Sequence, residues 1–130
     1  MAGVSELHHL SALEQGALVA VGDVQPVELV EHYAARRDDV GAFVTRTTEQ
    51  ALVRASVLTE RGRDERASPL WGVPTAIKDL NLTAGVRTTF GSAAYADFVP
   101  PFDDAVVEAI SSAGLVSLGK TSTPEFGSPC

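Results

Sequence analysis

The stretch Gly114–Ser122, GLVSLGKTS, satisfies the written pattern G-x-x-x-x-G-K-[ST], with Gly114, Gly119, Lys120 and Thr121 in register. A phosphate-binding loop must leave a strand, bend through small residues and open a helix, so that backbone N–H groups converge on the anion. The order here is reversed. Upstream, Val106, Val107 and Ile110 fall at helical spacing behind Asp103 or Asp104, either of which can cap a helix. Leu115, Val116, Ser117 and Leu118 have strand chemistry, and Pro124 interrupts the residues after Lys120. Gly114 therefore reads as a helix terminator and Gly119 as the exit of a strand. The nucleotide-loop match is accidental, and the stretch predicts a helix followed by a buried strand.

Toward the N-terminus, VPTAIKDLNL (73–82) is extended in character with one basic residue inside it, and TAGVRTTFGSAA (83–94) is Gly- and Thr-rich and irregular. Helices alternating with strands in this half predict an α/β fold. The first half reads as helical. Leu7, Leu10 and Leu13 suit a short helix over 5–15 behind Ser5, and Pro26 can open a second helix with Val27, Val30, Tyr33 and Ala34 as its apolar stripe, ending near Arg36–Asp39. AFVT (42–45) predicts a short strand. Thr48 can cap a third helix with Ala51, Leu52, Ala55 and Leu58 on one face and Gly62 at its end. The charged run 59–69 reads as a solvated connection. Residues 1–62 thus form a helical opening segment, and 70–130 begin a core sheet.

The chain has 130 residues, enough for one domain or part of one, and 45% of them are apolar, which suits a globular core. Its net charge of −7 argues against a nucleic-acid partner, which demands clustered bases against phosphates. No run of about 18 apolar residues is present to span a membrane. The beginning, MAGVSELHHL, lacks the basic region of a secretory signal, and the single cysteine, Cys130, fits a reducing compartment, so a cytoplasmic location is expected. Cys130 is poorly placed as a nucleophile, because no base or oxyanion hole is in view. His8 and His9 point to different faces of a helix and His32 is remote in sequence, so no metal site is expected.

The bases comprise eight arginines and two lysines, Lys78 and Lys120. Lys78 sits in GVPTAIKDL between Ala76–Ile77 and Leu80. It is either an edge-strand lysine reaching water or a lysine in a partly apolar site, where desolvation lowers its pKa and makes the amine a base. The series G-V-P-x-A-I-K-D, G-V-x-T-T-x-G-S, D-x-x-V-V and A-G-x-x-x-x-G-K-T-x-x-P-E-F-G, running through residues 69–127, resembles the amidase signature family in order and spacing. LVEHYAARRDDVGAFVT and ALVRASVL also look like that family's opening segment, so the likeness covers nearly the whole chain.

The resemblance implies the N-terminal part of a mixed sheet flanked by helices. It also implies amide hydrolysis by a Ser–cisSer–Lys triad with no metal or organic cofactor and a small-molecule amide as substrate. The lysine of the I-K-D motif carries over onto Lys78. Glu125, Phe126 and Gly127 match a segment on the substrate side of the site, whereas Lys120 belongs to a strand end with a structural role. Both serines of such a triad belong to a downstream Gly/Ser-rich segment, and the chain stops at Cys130 before reaching one. Ser92, Ser111, Ser112, Ser122 and Ser128 do not substitute. By this resemblance the chain is a fragment, inactive alone, whose serines come from a continuation or from a separately encoded C-terminal portion. A non-catalytic remnant is the alternative of another class. The A subunit of the tRNA-dependent amidotransferase shares the signature, but TPEFGSP and KDLN depart from its usual M-D-E-F-A-M-G and K-D-N-I. A general amidase is therefore the first reading.

Overall fold

The computed structural model describes residues 4–128; Cys130 lies outside them. The chain is a mixed α/β structure. Four α-helices, α1 (Ala12–Val21), α2 (Pro26–Ala34), α3 (Thr48–Arg61) and α4 (Ala105–Ser112), accompany three strands, β1 (Phe43–Arg46), β2 (Pro74–Lys78) and β3 (Val116–Thr121). Strand β3 lies in the middle of the sheet, antiparallel to β1 and parallel to β2.

Local chemistry accounts for most of the boundaries. Pro26 opens α2 at the position where its missing N–H is not needed. Gly62 closes α3, and Asp104 caps α4 by accepting from the Val106 and Val107 N–H groups at 3.0 Å. Gly114 ends that helix with φ +80°, and a Cβ there would meet the Trp71 indole at 2.2 Å. The inward stripe of α4 is narrower than expected, since Val107 is buried but Val106 is exposed.

The first helix is where the spacing argument failed. The leucines at three-residue intervals do not share one α-helix: Val4–His9 form a 3₁₀ turn, the chain breaks at Leu10, and α1 begins only after Ser11. Ser11 and Glu14 make a capping box, with the Glu14 N–H donating to Ser11 Oγ and the Ser11 N–H donating to Glu14 Oε2 at 2.7 Å. This reciprocal pair outweighs the leucine periodicity and starts the helix there. Ser11→Ala is expected to cost about 1 kcal/mol, read as a shift of the urea midpoint at unchanged slope.

Val30, Ala51, Ala55, Leu58 and Val116 form one buried cluster, which ties α2 and α3 to the central strand. Leu7, Val19 and Leu29 form a second, and Trp71 packs against both.

Strand β3 is not regular. Thr75 pairs with Ser117 but Ile77 pairs with Lys120, so two steps on β2 match three on β3. A bulge at Leu118–Gly119 therefore transfers Lys120 to the face that carries Ile77. Gly119 lies inside the strand, with φ +144°, and is not its exit.

Candidate active site at the carboxyl ends of the parallel strands

In open α/β sheets, ligands gather beyond the carboxyl ends of the parallel strands. Here those ends are Lys78 on β2 and Thr121 on β3, which face each other in register. Lys78 is exposed, so in this chain its ammonium is solvated and not held in an apolar pocket.

Asp79, the next residue, is only 1% exposed, and all its polar groups but one oxygen are tied down. Its N–H donates to the Thr121 carbonyl at 2.9 Å, and its carbonyl accepts from the Phe90 N–H at 3.0 Å. Carboxylate Oδ2 accepts from the Thr89 N–H at 3.1 Å and from the Thr89 hydroxyl. Oδ1 has no hydrogen bond of its own; it faces the Lys120 ammonium at 3.5 Å, an ion-pair distance.

Lys120 is fully buried. Its Nζ donates to the Asn81 carbonyl at 2.6 Å and to Thr88 Oγ1 at 2.8 Å. Burial pulls the Lys120 pKa below the ordinary lysine value, and the Asp79 charge opposes that shift. One lysine is thus consumed inside the structure while the other stands free at the strand end.

The second segment singled out in the sequence converges on the same edge. Glu125–Gly127 form a short 3₁₀ turn. Glu125 Oε1 accepts from the Ser92 hydroxyl at 2.8 Å, and the Phe126 N–H donates to the Phe90 carbonyl at 2.7 Å. A Cβ on Gly127 would meet Leu80 at 2.7 Å. Phe90 and Phe126 both have positive φ, +55° and +50°, and their rings stack at 6.4 Å. Left-handed backbone at bulky residues costs of order 1–3 kcal/mol each and persists where the surroundings over-determine it.

Ser92 is occupied by Glu125, Ser111 and Ser112 lie at the end of α4, and the Ser122 N–H pairs with the Ala42 carbonyl. Among the described residues, no serine hydroxyl hydrogen-bonds a lysine ammonium. Nor do three His, Cys, Asp or Glu side chains gather as a metal set, and no helix is long and apolar enough to cross a membrane. Sequence reasoning missed Asp79, Asn81, Thr88 and Thr89; the one available signal was an acid directly after Lys78. It also set His32 apart, whereas the fold brings it against His8.

The Amidase family model matches residues 27–130. The chain belongs to the Amidase family. Among the relatives of this Amidase chain, the A subunit of glutamyl-tRNA(Gln) amidotransferase from Thioalkalivibrio sulfidiphilus is 40% identical over 124 residues, 92% of this chain and 26% of that protein. The protein of the same name from Moorella thermoacetica is 42% identical over 126 residues, again 26% of its length. Among solved structures, a bacterial aryl acylamidase of the amidase signature family superposes with a TM-score of 0.79 at 26% identity, over 90% of this chain and 26% of that one. Fatty acid amide hydrolase superposes with a TM-score of 0.85 at 19% identity, over 95% of this chain and 23% of that one, a likeness of fold. The chain spans about a quarter of the length of the curated relatives it matches.

Proposed function

We propose that this chain carries the lysine base of a serine-type amide hydrolase, with Lys78 in that role. The supporting observation is the division of labour between the two lysines: Lys120 is buried with Asn81, Thr88 and Asp79, and Lys78 stands exposed beside the buried Asp79. The nucleophilic and relay serines would come from a Gly/Ser-rich segment that these residues do not include, on the same or a separate polypeptide.

In this reading neutral Lys78 takes a proton from the relay serine, which takes one from the nucleophile as it attacks the amide carbonyl. Backbone N–H groups hold the oxyanion. The C–N bond breaks as the proton returns to the departing amine, and water then hydrolyses the acyl-enzyme. Covering the strand end with the remaining sheet would take Lys78 out of bulk water. Glu125, Phe126 and Gly127, fastened to the same edge, would line the substrate side.

A second reading, hydrolysis of glutamine in the manner of an amidotransferase, is favoured by the names of the relatives near 40% identity. One assay tests both. The chain is mixed with a polypeptide covering the remaining three-quarters of a relative, and ammonia release is measured from aryl and aliphatic amides and from glutamine with aminoacyl-tRNA. Turnover is expected to need both pieces and to vanish with Lys78→Ala. Undiminished turnover with that variant would sink the assignment, and the preferred substrate separates a general amidase from the amidotransferase.

A further inference from the structure

All three histidines of the chain, two of them adjacent and the third 23 residues on from His9, meet in one place. The Nδ1 of His8 and the Nε2 of His32 lie 3.0 Å apart, with the rings near-parallel at 18° and their centroids 5.1 Å apart. The His9 ring lies 4.2 Å from His8, tilted at 41°, and Tyr33 meets His32 edge-on. This contact joins the 3₁₀ turn Val4–His9 to α2. The same turn is held by Leu7, buried against Val19 and Leu29, and by Gln15, whose Nε2 lies 3.1 Å from the Leu7 and Leu10 carbonyls and 2.7 Å from Tyr33 Oη.

We propose that the His8–His32 pair is a proton-sensitive latch that docks the 3₁₀ turn on α2 and releases it when both rings are protonated. An imidazole–imidazole hydrogen bond needs one donor and one acceptor nitrogen. The neutral pair satisfies this, and so does the pair holding one extra proton. With both rings charged each nitrogen is a donor, and two like charges stand 3.0 Å apart. The second proton therefore breaks the contact.

The surroundings reinforce this. Burial lowers both histidine pKa values, Arg36 just beyond the end of α2 lowers them further, His9 adds to the effect on His8, and Glu6 on the turn opposes it. On α2, Tyr33 meets His32, and its hydroxyl accepts from Gln15 of α1, which is neutral. Because the docked state binds protons more weakly than the free one, docking is complete above the ordinary histidine pKa and is lost as pH falls through it toward the lowered values. The two rings titrate as a pair, in two macroscopic steps. A proton is favoured over a metal ion as the shared ligand, since among the described residues no third ligand completes a metal set.

The test is side-chain ¹⁵N NMR of the three histidines from pH 8 to 5, with hydrogen exchange at the Leu10 amide, which donates to the Leu7 carbonyl at 3.2 Å. Two coupled steps are expected for His8 and His32, and Leu10 protection should fall about tenfold per pH unit once the second proton binds. His32→Gln, which can hydrogen-bond but not titrate, should remove that pH dependence. Arg36→Met should move the second step to higher pH without undocking the turn, and so keeps the test decisive if His32→Gln fails to fold. Protection that stays constant through the second step, or persists in its pH dependence with His32→Gln, overturns the proposal. So does stoichiometric Zn²⁺ binding at pH 8 that shifts both rings together, which would make the pair a metal site.

Discussion

Replacing Lys120 by methionine is expected to destabilise the chain by about 3–5 kcal/mol, the range for removing one member of a buried ion pair. Methionine matches the lysine stem in length and apolar volume, so the loss is electrostatic and not a cavity. It strips Asp79 Oδ1 of its only counter-charge among the described residues, although Thr89 continues to serve Oδ2. It also leaves the Thr88 hydroxyl without its donor and the Asn81 carbonyl with the Thr83 hydroxyl alone. A double replacement, Asp79→Asn with Lys120→Met, removes both charges and should recover part of the loss, giving a coupling of at least about 1 kcal/mol. Urea unfolding at constant slope measures each corner of the cycle. A single Lys120→Met variant within about 1 kcal/mol of the parent would show that the pair contributes little. The consequence for function comes from position. Asp79 is the residue after Lys78, and its backbone and side chain are fixed to Thr121, Phe90, Thr89 and Lys120. Loosening this knot should blur where Lys78 points while leaving its chemistry intact.

This pair also marks the boundary of what was legible from residues in order. Pro26, Gly62, Asp104 and Gly114 act within a few residues of themselves, so the helices they open or close could be read directly. The strand character of 116–118 and 74–78 likewise followed from β-branched and apolar runs. Lys78 was legible as the one basic residue inside an extended run, though not as the end of its strand, and its likeness to a family motif gave it a role to test. The first helix was misread although its capping box, Ser11 and Glu14, stood in plain view, because three leucines at intervals of three offered a competing period. Asp79 with Lys120 and His8 with His32 are pairings across the chain, formed only when strands and helices have packed. No local period announces them. The Amidase match confirms the family reading, while the roles within the site rest on the turnover of the reassembled pieces.

Gly119→Ala should be the most disruptive single methyl in the sheet. Its Cβ would lie 2.2 Å from the Thr45 carbonyl oxygen and 3.0 Å from the Arg46 Cα, both of them backbone atoms of β1. No side-chain rotation can relieve such a contact; the strands must part. At φ +144° the residue also occupies backbone that L side chains rarely adopt. Overpacking of about 1–3 kcal/mol and a similar backbone cost lead us to expect a destabilisation of about 3 kcal/mol or more. The damage should be specific in place. Because the bulge at Leu118–Gly119 turns Lys120 toward Asp79, straightening it would swing the ammonium away from Asn81 and Thr88 and break the buried pair. Hydrogen exchange should therefore accelerate in two regions: at Thr47, whose N–H donates to the Leu118 carbonyl, and at Thr89, whose N–H donates to Asp79. Loss at Thr47 alone would mean that the bulge serves the edge strand and not the lysine. Loss at both ties the geometry of one glycine to the anchoring of the residue beside Lys78.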